Sequence, residues 1–253
     1  MSTSVRPAAV APLSDPDAVP LVGPEAVDAL GRVVVVAPHP DDESLGCGGL
    51  VAHLADRGRS VRVVVVTDGT RSHVSETYPP LRLRAVREAE ARSAVRALAG
   101  GGRVDVSLLR YPDCGLPQTG TPAFSAAVDS VSAMLRGWAA DTLVVPWRRD
   151  PHCDHEGTWA LFTASAHRLE APPRIVEYPV WAWTRVGEAE APRAGEGRPW
   201  RLDVSGVLDR KRRAVAAHVS QTTRLIDDDP DGFILTPDVL AHFDRPYEIY
   251  LDA

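Results

Sequence analysis

The sequence Val33-Val34-Val35-Val36-Ala37-Pro38-His39-Pro40-Asp41-Asp42-Glu43 begins as a strand and ends as a polar cluster. Four consecutive β-branched residues predict a buried strand, and prolines on both sides of His39 hold the backbone extended where that strand ends. One imidazole and three carboxylates then occupy five positions, which is costly beside a core unless a metal or substrate uses them. Ligands bind at the carboxyl ends of strands in open α/β sheets. The stretch therefore indicates a functional site.

Outward from this stretch, apolar strands alternate with helices. Continuous apolar runs, typical of strands buried in a parallel sheet, predict strands at residues 32–37, 61–67, 104–109, 142–146 and 174–178. Helical composition predicts helices at residues 44–56, 81–98, 123–138 and 155–168. Further on, the pattern predicts a mobile loop at 187–199, a strand at 200–204, a helix at 205–219 and a closing strand at 247–251. We expect an α/β fold: a doubly wound, Rossmann-like, mostly parallel sheet flanked by helices, with a small C-terminal extension.

Composition and charge narrow the class of protein. The 253 residues supply a large core, with residues 1–27 expected to be a flexible tail and residues 28–253 a single domain. A net charge of −6 without a basic stripe argues against a nucleic-acid partner, while the oligomeric state is left open. Neither a membrane-spanning run nor a secretory signal is evident. Three scattered cysteines (Cys47, Cys114 and Cys153) predict a reduced, cytoplasmic protein without a disulfide framework.

A second polar cluster, His152-Cys153-Asp154-His155, follows the fourth predicted strand. In the expected topology it lies at the same edge of the sheet as His39 and Asp42, so the two clusters can surround one metal ion. Histidine and carboxylate ligands that leave a position open for water are typical of catalytic zinc. A carboxylate close to the metal but not bound to it then serves as general base. Helix capping by the acids explains either cluster alone, but explains their combination poorly.

Together these two motifs resemble the LmbE-like/PIG-L family of metal-dependent N-deacetylases. The similarity extends to Gly46-Cys47-Gly48-Gly49, Arg87-x-x-Glu90, Tyr111-Pro112-Asp113, Glu177-Tyr178-Pro179 and the helix from Lys211 to Gln221. Members of this family remove acetyl groups from N-acetylglucosamine units of larger conjugates. The resemblance implies an amidohydrolase that removes an N-acyl group from a small-molecule amino-sugar conjugate, in cofactor or natural-product biosynthesis.

The resemblance also implies a role for each motif residue. Matching the metal ligands are His39, Asp42 and His155, and the metal is usually Zn²⁺, with another divalent ion as the alternative. Asp41 matches the general base that takes a proton from the metal-bound water. His152 matches the histidine that, when protonated, stabilises the oxyanion or protonates the leaving amine, and Asp154 matches the carboxylate that orients it and stabilises its charge.

Other positions are expected to surround this core of the site. Arg87 and Asp113 match residues that contact substrate hydroxyls in relatives, and Glu43 is expected to support the ligands or cap the helix. Residues 70–80 form a polar loop that we expect to shape substrate choice. Asp150 stands where some relatives have a tyrosine, which puts a phenolic oxyanion contact in doubt or moves it to another residue. Cys153 stands where proline is frequent.

Several alternatives remain open at this point. A metal-containing protein of the same fold that binds a sugar or metabolite without turning it over has the same motifs. The glycines at 46, 48 and 49 approximate a dinucleotide fingerprint, although close packing of a helix on the sheet explains them better. The aromatic residues Tyr178, Trp181 and Trp183 fit either a sugar-stacking platform or ordinary packing. His218 and Gln221 lie three residues apart on a helix and either face the site or make a structural contact.

Overall fold

The computed structural model describes residues 12–184, 191–193 and 195–253. Its strands are β1 (Leu21–Val22), β2 (Val33–Ala37), β3 (Val61–Thr67), β4 (Asp105–Tyr111), β5 (Thr142–Pro146), β6 (Arg174–Tyr178), β7 (Arg198–Asp203) and β8 (Tyr247–Asp252). Its α-helices are α1 (Asp42–Asp56), α2 (Pro80–Ala99), α3 (Pro122–Trp138), α4 (Cys153–Ala166), α5 (Leu208–Ala216), α6 (Val219–Thr222) and α7 (Pro237–Ala241). No helix among the described residues is both long enough and apolar enough to span a membrane.

The eight strands form one sheet in the order β1-β7-β8-β6-β5-β2-β3-β4. Strands β4, β3, β2, β5 and β6 are parallel, whereas β8 runs antiparallel to both of its neighbours. Alternate residues of β2 enter two separate cores: Val33 and Val35 pack in the core with α1 and α2, and Val34 and Val36 in the core with α3 and α4. Helices on both faces bury the central strands β2 and β5 completely, which confirms the predicted doubly wound fold.

The order of the strands places the ends of β2 and β5 side by side. From β2 the chain proceeds to β3 and β4 on one side, and then returns to β5 on the other side of β2. Strand order therefore reverses between β2 and β5, and the connections that follow them diverge to opposite faces. Such a switch point opens a crevice at the carboxyl edge of a sheet. Both polar clusters predicted from the sequence follow these two strands.

The predicted tail is wrong for residues 16–27. A short 3₁₀ helix at Pro16–Ala18 is followed by β1, which pairs with β7 at the sheet edge, and by a 3₁₀ segment at Pro24–Leu30. Burial of Val19 and Val27 anchors this segment, a contribution that the Pro-rich and Ala-rich composition did not indicate. Residues 1–11 lie outside the described residues. Residues 187–190 and 194 of the predicted mobile loop also lie outside the described residues. The last two positions of that predicted loop, 198 and 199, belong to β7.

The glycines of α1 allow the helix to approach the sheet. A Cβ added at Gly46 would lie 2.2 Å from Cδ2 of Tyr178, and one added at Gly49 would lie 2.2 Å from Cγ1 of Val204. Real side chains do not tolerate such distances, so these positions require glycine for packing. This finding confirms the packing interpretation of the Gly-rich segment.

We expect Gly46→Ala to lower the free energy of unfolding by about 1–3 kcal/mol, because the methyl group must displace the buried Tyr178 ring. Gly137→Ala provides the matched control, since Gly137 lies within α3 and nothing would lie within 4 Å of its new Cβ. Its higher helix propensity should stabilise the protein by up to about 1 kcal/mol. Urea denaturation of both variants measures the difference, and equal shifts would contradict the packing argument.

Candidate active site

The loop after β2 is folded by hydrogen bonds from its own backbone. The His39 N–H donates to Asp42 Oδ2 at 2.8 Å, and the His39 Nδ1 atom lies 3.3 Å from the same oxygen. Asp42 begins α1, where the N-terminal end of the helix dipole favours a negative charge. The local fold therefore sets the ring of His39 and the carboxylate of Asp42 side by side at the strand end.

The second cluster is organised by the start of α4. His152 caps this helix: its Nδ1 atom accepts the backbone N–H of Asp154 at 3.2 Å. An imidazole that accepts through Nδ1 carries its proton on Nε2 in the neutral form. Asp154 and His155 lie in the first helical turn and are buried. The same residues therefore both cap the helix and belong to the polar cluster, so the capping interpretation and the functional interpretation are compatible.

The structure brings the two clusters together. His155 Nε2 lies 3.3 Å from Asp42 Oδ2, and His39 Nε2 lies 3.0 Å from Asp154 Oδ2. The rings of His39, His152 and His155 have centroids between 4.6 and 5.4 Å apart. Asp154 is consequently closer to His39 than to His152, whose Nδ1 atom lies 3.9 Å from its carboxylate. Orientation of His152 comes from the backbone N–H of Asp154.

The donor atoms of this cluster fit a divalent metal. The predicted ligands His39, Asp42 and His155 supply the nitrogen and oxygen donors that zinc accepts. Among the described residues, neither ring nitrogen of the fully buried His155 makes a hydrogen bond of good geometry, although Nε2 faces Asp42 and Nδ1 faces Asp150. His152 also lies within reach, since one nitrogen from each of the three histidines falls within a 4.8 Å span.

Charge in the cluster favours a bound cation. Burial lowers the pKa of His39, but hydrogen bonds with Asp154 and Asp42 outweigh it and raise that pKa to about 10. Burial also lowers the pKa of His155, but the charges and contacts of Asp42 and Asp150 outweigh it and raise that pKa to about 9. The imidazoles in turn hold the pKa of Asp42 well below its usual range, against the effect of burial. Carboxylates that stabilise a positive charge this strongly also suit a metal ion, which competes with protons for such sites.

Asp41 occupies a different position from its neighbour Asp42. Its Oδ2 atom accepts a hydrogen bond from Arg87 Nη2 at 3.1 Å, and it lies beside the cavity rather than within the group of ligands. Burial raises its pKa to about 6, although the charge of Arg87 acts in the opposite direction. Arg87 also donates to the carbonyl oxygens of Pro40 and Gly69 at 3.0 Å. A buried guanidinium therefore fixes the carboxylate predicted to be the base.

A cavity of about 240 Å³ opens beside the cluster. Five of the predicted site residues line it: His39, Asp41, Arg87, Asp113 and His152. The other three, Asp42, Asp154 and His155, are buried behind this wall. Asp113 accepts the backbone N–H groups of Gly69 and Arg71, both at 2.8 Å, and so ties the loop after β3 to the loop after β4.

Of the aromatic residues near the cluster, one lines the cavity and the others pack elsewhere. Of the three aromatic residues considered for sugar stacking, Trp181 lines the cavity, where its ring meets Phe233 edge to face at 5.7 Å. The Tyr178 hydroxyl is buried and donates to the Val36 carbonyl oxygen, while Trp183 stacks on His242 away from the cavity.

Glu43 and His218 form a buried pair behind the base. Oε1 of Glu43 lies 2.9 Å from His218 Nε2 and accepts the Ser44 hydroxyl hydrogen at 2.7 Å. The pKa of His218 is raised, because the charges of Glu43 and Asp41 outweigh the opposing effect of burial. Glu43 therefore contacts none of the predicted metal ligands directly. Its contact joins α1 to the segment before α6.

Asp150 has a contact with His155 that the sequence did not indicate. This fully buried carboxylate accepts the backbone N–H groups of Trp181 and Ala182 at 3.0 and 2.7 Å, and lies 2.6 Å from His155 Nδ1. It therefore points away from the cavity and does not replace a phenolic oxyanion contact. Instead it holds the far side of His155, as carboxylates commonly do for metal-binding histidines.

We expect Asp150→Asn to weaken metal affinity about 10- to 100-fold, because the amide no longer stabilises the His155 ring as a ligand. The variant is nearly isosteric, so it separates charge from shape. A competitive chelator titration measures the affinity, and circular dichroism checks that the fold persists. Unchanged affinity in a folded Asp150→Asn protein would remove this positioning role.

The cysteine prediction is wrong for two of the three residues. Cys114 and Cys153 form a disulfide with their Cα atoms 5.9 Å apart, and Cys47 alone is free and buried. Their 39-residue separation in sequence gave no sign of this proximity, which arises because the loops after β4 and β5 meet at the sheet edge. The backbone N–H of Cys114 also donates to Asp154 at 2.9 Å. Disulfide and hydrogen bond together tie the loop after β4 to α4.

We expect reduction of this disulfide to destabilise the protein by about 2–4 kcal/mol, since it closes a loop of about 40 residues in the unfolded chain. Thermal unfolding with and without reductant measures the effect. A Cys114→Ser/Cys153→Ser variant should match the reduced protein and show no response to reductant. If reductant destabilised that variant by the same amount, the effect would not come from this disulfide.

Comparison with known proteins identifies the class to which this fold and site belong. The family model described as PIG-L, GlcNAc-PI de-N-acetylase, matches residues 34–166, slightly over half of the chain. The chain belongs to this family of LmbE-like N-deacetylases, which confirms the resemblance seen in its motifs.

Individual relatives act on different molecules. A 1D-myo-inositol 2-acetamido-2-deoxy-alpha-D-glucopyranoside deacetylase of Rhodococcus opacus (strain B4) is 31% identical over 240 residues, covering 76% of this chain and 82% of the relative. The 2'-N-acetylparomamine deacetylase of Streptomyces fradiae is 30% identical over 141 residues, covering 49% and 48%. The N,N'-diacetylchitobiose deacetylase of Pyrococcus horikoshii has a similar fold, with a TM-score of 0.62, 23% identity and coverage of 78% and 73%. All three are deacetylases, but their names give three substrates.

Proposed function

We propose that this protein is a metal-dependent hydrolase that removes the acetyl group from an N-acetylated amino sugar within a larger small-molecule conjugate. One observation carries the proposal: Asp41 is a buried carboxylate at the cavity wall, next to the ligand cluster but outside it. That is the place of a general base. Membership of a de-N-acetylase family supports the same reaction.

The proposed ligands of the metal are His39, Asp42 and His155, with zinc as the proposed ion. A bound zinc ion lowers the pKa of its water and polarises the amide carbonyl. Asp150 keeps Nε2 of His155 directed toward Asp42, and the N–H of His39 keeps the Asp42 carboxylate in place. These contacts hold the donors together before any ion binds, which reduces the cost of assembling the site.

Asp41 carries out both proton transfers of the proposed reaction. Its carboxylate takes a proton from the attacking water and delivers it to the nitrogen of the leaving amine, so one group serves first as base and then as acid. Arg87 fixes the carboxylate through Oδ2, which leaves Oδ1 for the reacting water. Amines leave poorly unless protonated, and this second transfer is therefore as necessary as the first.

His152 supplies a hydrogen bond to the developing oxyanion. Its Nδ1 atom is occupied by the N–H of Asp154, so the proton of the neutral ring resides on Nε2. Burial lowers the pKa of His152, which favours this neutral form. A fixed N–H donor at the wall of a small cavity stabilises charge that develops in the transition state.

The size of the cavity supports a sugar within a conjugate. At about 240 Å³ it falls below the range of about 300–1,000 Å³ usual for small-molecule sites. One amino-sugar ring with its acetyl group fills such a space, and the remainder of the conjugate extends toward solvent. Asp113 at the wall is the proposed contact for a ring hydroxyl, and Arg87 contributes mainly through Asp41.

A screen of N-acetylglucosamine conjugates for acetate release, with bound metal assayed in parallel, tests the proposal. Chelation should abolish release, and added Zn²⁺ should restore it. Asp41→Asn should lower kcat about 10²- to 10⁴-fold while the protein retains its metal, because only the proton acceptor is lost. Asp209→Asn, at an exposed position, serves as the surface control.

Each outcome separates the candidates. Turnover in Asp41→Asn equal to that of the parent would remove Asp41 as the base. Metal and sugar binding without acetate release from any conjugate would favour the alternative of a non-catalytic binding protein. That alternative gives no role to a buried carboxylate held beside the ligands by Arg87, which is why we rank it second.

A further inference from the structure

The disulfide between Cys114 and Cys153 lies within the active-site loops and is exposed. Cys114 lines the cavity, and Cys153 stands between His152 and Asp154 at the first position of α4. Both cysteines belong to the exposed residues of the chain, so their bond is open to attack from solvent. Exposed disulfides are commonly the labile ones that thiols open, whereas those that serve only stability resist reduction.

The backbone of Cys114 has a conformation that cysteine rarely adopts. Residues 112–115 form a tight turn, in which the N–H of Gly115 donates to the Pro112 carbonyl oxygen at 2.8 Å. Cys114 is the third residue of that turn and has a φ of 52°, a left-handed value that favours glycine or asparagine. A residue with a Cβ atom keeps such a φ only where its surroundings enforce it. For Cys114 those surroundings include the disulfide and the hydrogen bond from its N–H to Asp154.

This turn positions two carboxylates of the site. The N–H of Cys114 donates to both oxygens of Asp154 at 2.9 Å, and Asp154 Oδ2 lies 3.0 Å from Nε2 of His39, a proposed metal ligand. Asp113, the second residue of the turn, lines the cavity and accepts two N–H groups of the loop after β3. Opening the disulfide removes a contact that enforces the turn. Cys114 then relaxes toward a negative φ, and its N–H turns away from Asp154.

We propose that the Cys114–Cys153 disulfide is a thiol-exchange site that controls the enzyme through this turn. When the disulfide is closed, the turn holds Asp154 against His39. When a low-molecular-weight thiol opens it, the turn relaxes, and both metal affinity and turnover fall. The effect on turnover rests on the proposed function, whereas the exchange and its effect on metal affinity do not.

The exchange consists of two balanced steps. The thiolate of one small thiol attacks a sulfur atom of the pair, the S–S bond breaks, and the other cysteine leaves with the bonding electrons and takes a proton from water. A second thiol molecule then cleaves the mixed disulfide in the same way. The protein disulfide thus gains two electrons and two protons, while two thiol molecules are oxidised to one disulfide. That small disulfide is the oxidant for the reverse reaction.

Equilibration of the protein with mixtures of reduced and oxidised glutathione tests the proposal. Alkylation of the folded protein, counted by mass spectrometry, measures the open fraction, because Cys47 is buried and should stay unlabelled. As that fraction rises, zinc affinity in a competitive chelator titration should fall about tenfold, since Asp154 no longer holds His39. The kcat/KM for a conjugate found by acetate release should fall about tenfold as well. Circular dichroism at the assay temperature checks that the opened protein is folded.

Two double variants distinguish control through the turn from cross-linking alone. Cys114→Ser/Cys153→Ser should show the low values of the opened protein at every glutathione ratio, and competition of glutathione for zinc appears in it alike. Cys114→Gly/Cys153→Ser also lacks the disulfide, but glycine adopts the φ of Cys114 without steric cost. Its zinc affinity and kcat/KM should therefore exceed those of the serine pair about threefold or more, because the turn persists.

An opened disulfide with unchanged zinc affinity would overturn the proposal, as would a disulfide that stays closed at every glutathione ratio in the folded protein. Equal losses in the two double variants would reject the turn as the link between the disulfide and the site. If no conjugate is hydrolysed, the proposed function fails, and zinc affinity alone decides this inference. An affinity that falls on opening would sustain it, whereas an unchanged affinity, or no zinc binding in either state, would reject it.

Discussion

The contact between Asp42 and His155 is the constraint on which the site depends. Asp42 follows β2 and His155 follows β5, and these strands pair in parallel with Val33 opposite Thr142 and Val35 opposite Val144. A slip of one residue in this register would reverse the faces of one strand and separate the two side chains. The apolar residues that bury both strands on both faces therefore also fix the distance between these two proposed metal ligands.

Backbone donors make the burial of so many carboxylates tolerable. Asp42 accepts the N–H of His39, Asp154 accepts that of Cys114, and Asp150 accepts those of Trp181 and Ala182. Hydrogen bonds to the ionised form offset the loss of hydration that burial imposes. Each donor lies at the carboxyl edge of the sheet, in a loop or, for Trp181 and Ala182, in a short 3₁₀ helix. The loops must accordingly keep their conformation for the site to stay charged, and the disulfide between Cys114 and Cys153 contributes to that rigidity.

The sequence predicted the parts of this arrangement that depend on local pattern. Continuous valine runs gave β2 and β3, and two motifs at strand ends gave the residues that converge at the switch point. The role of Asp150 was not predictable, because its partners in residues 180–182 are distant in sequence and meet it only through the pairing of β5 with β6. The pairing of β1 with β7 was missed for a different reason: two residues are too few to show periodicity.

The two ends of the cavity are built from separate parts of the chain. The proposed ligands and base come from the ends of β2 and β5, whereas another part of the wall combines the loop after β3 with α6 and the segment that follows it. Asp228 and Asp229 accept the backbone N–H groups of Thr77 and Val74, so a run of acids that looks like a solvated turn instead holds that loop. Changes in these two segments can alter which conjugate fits without moving a metal ligand. The proposed reaction end and this other part of the wall therefore come from different segments of the chain, so one can change while the other keeps its geometry.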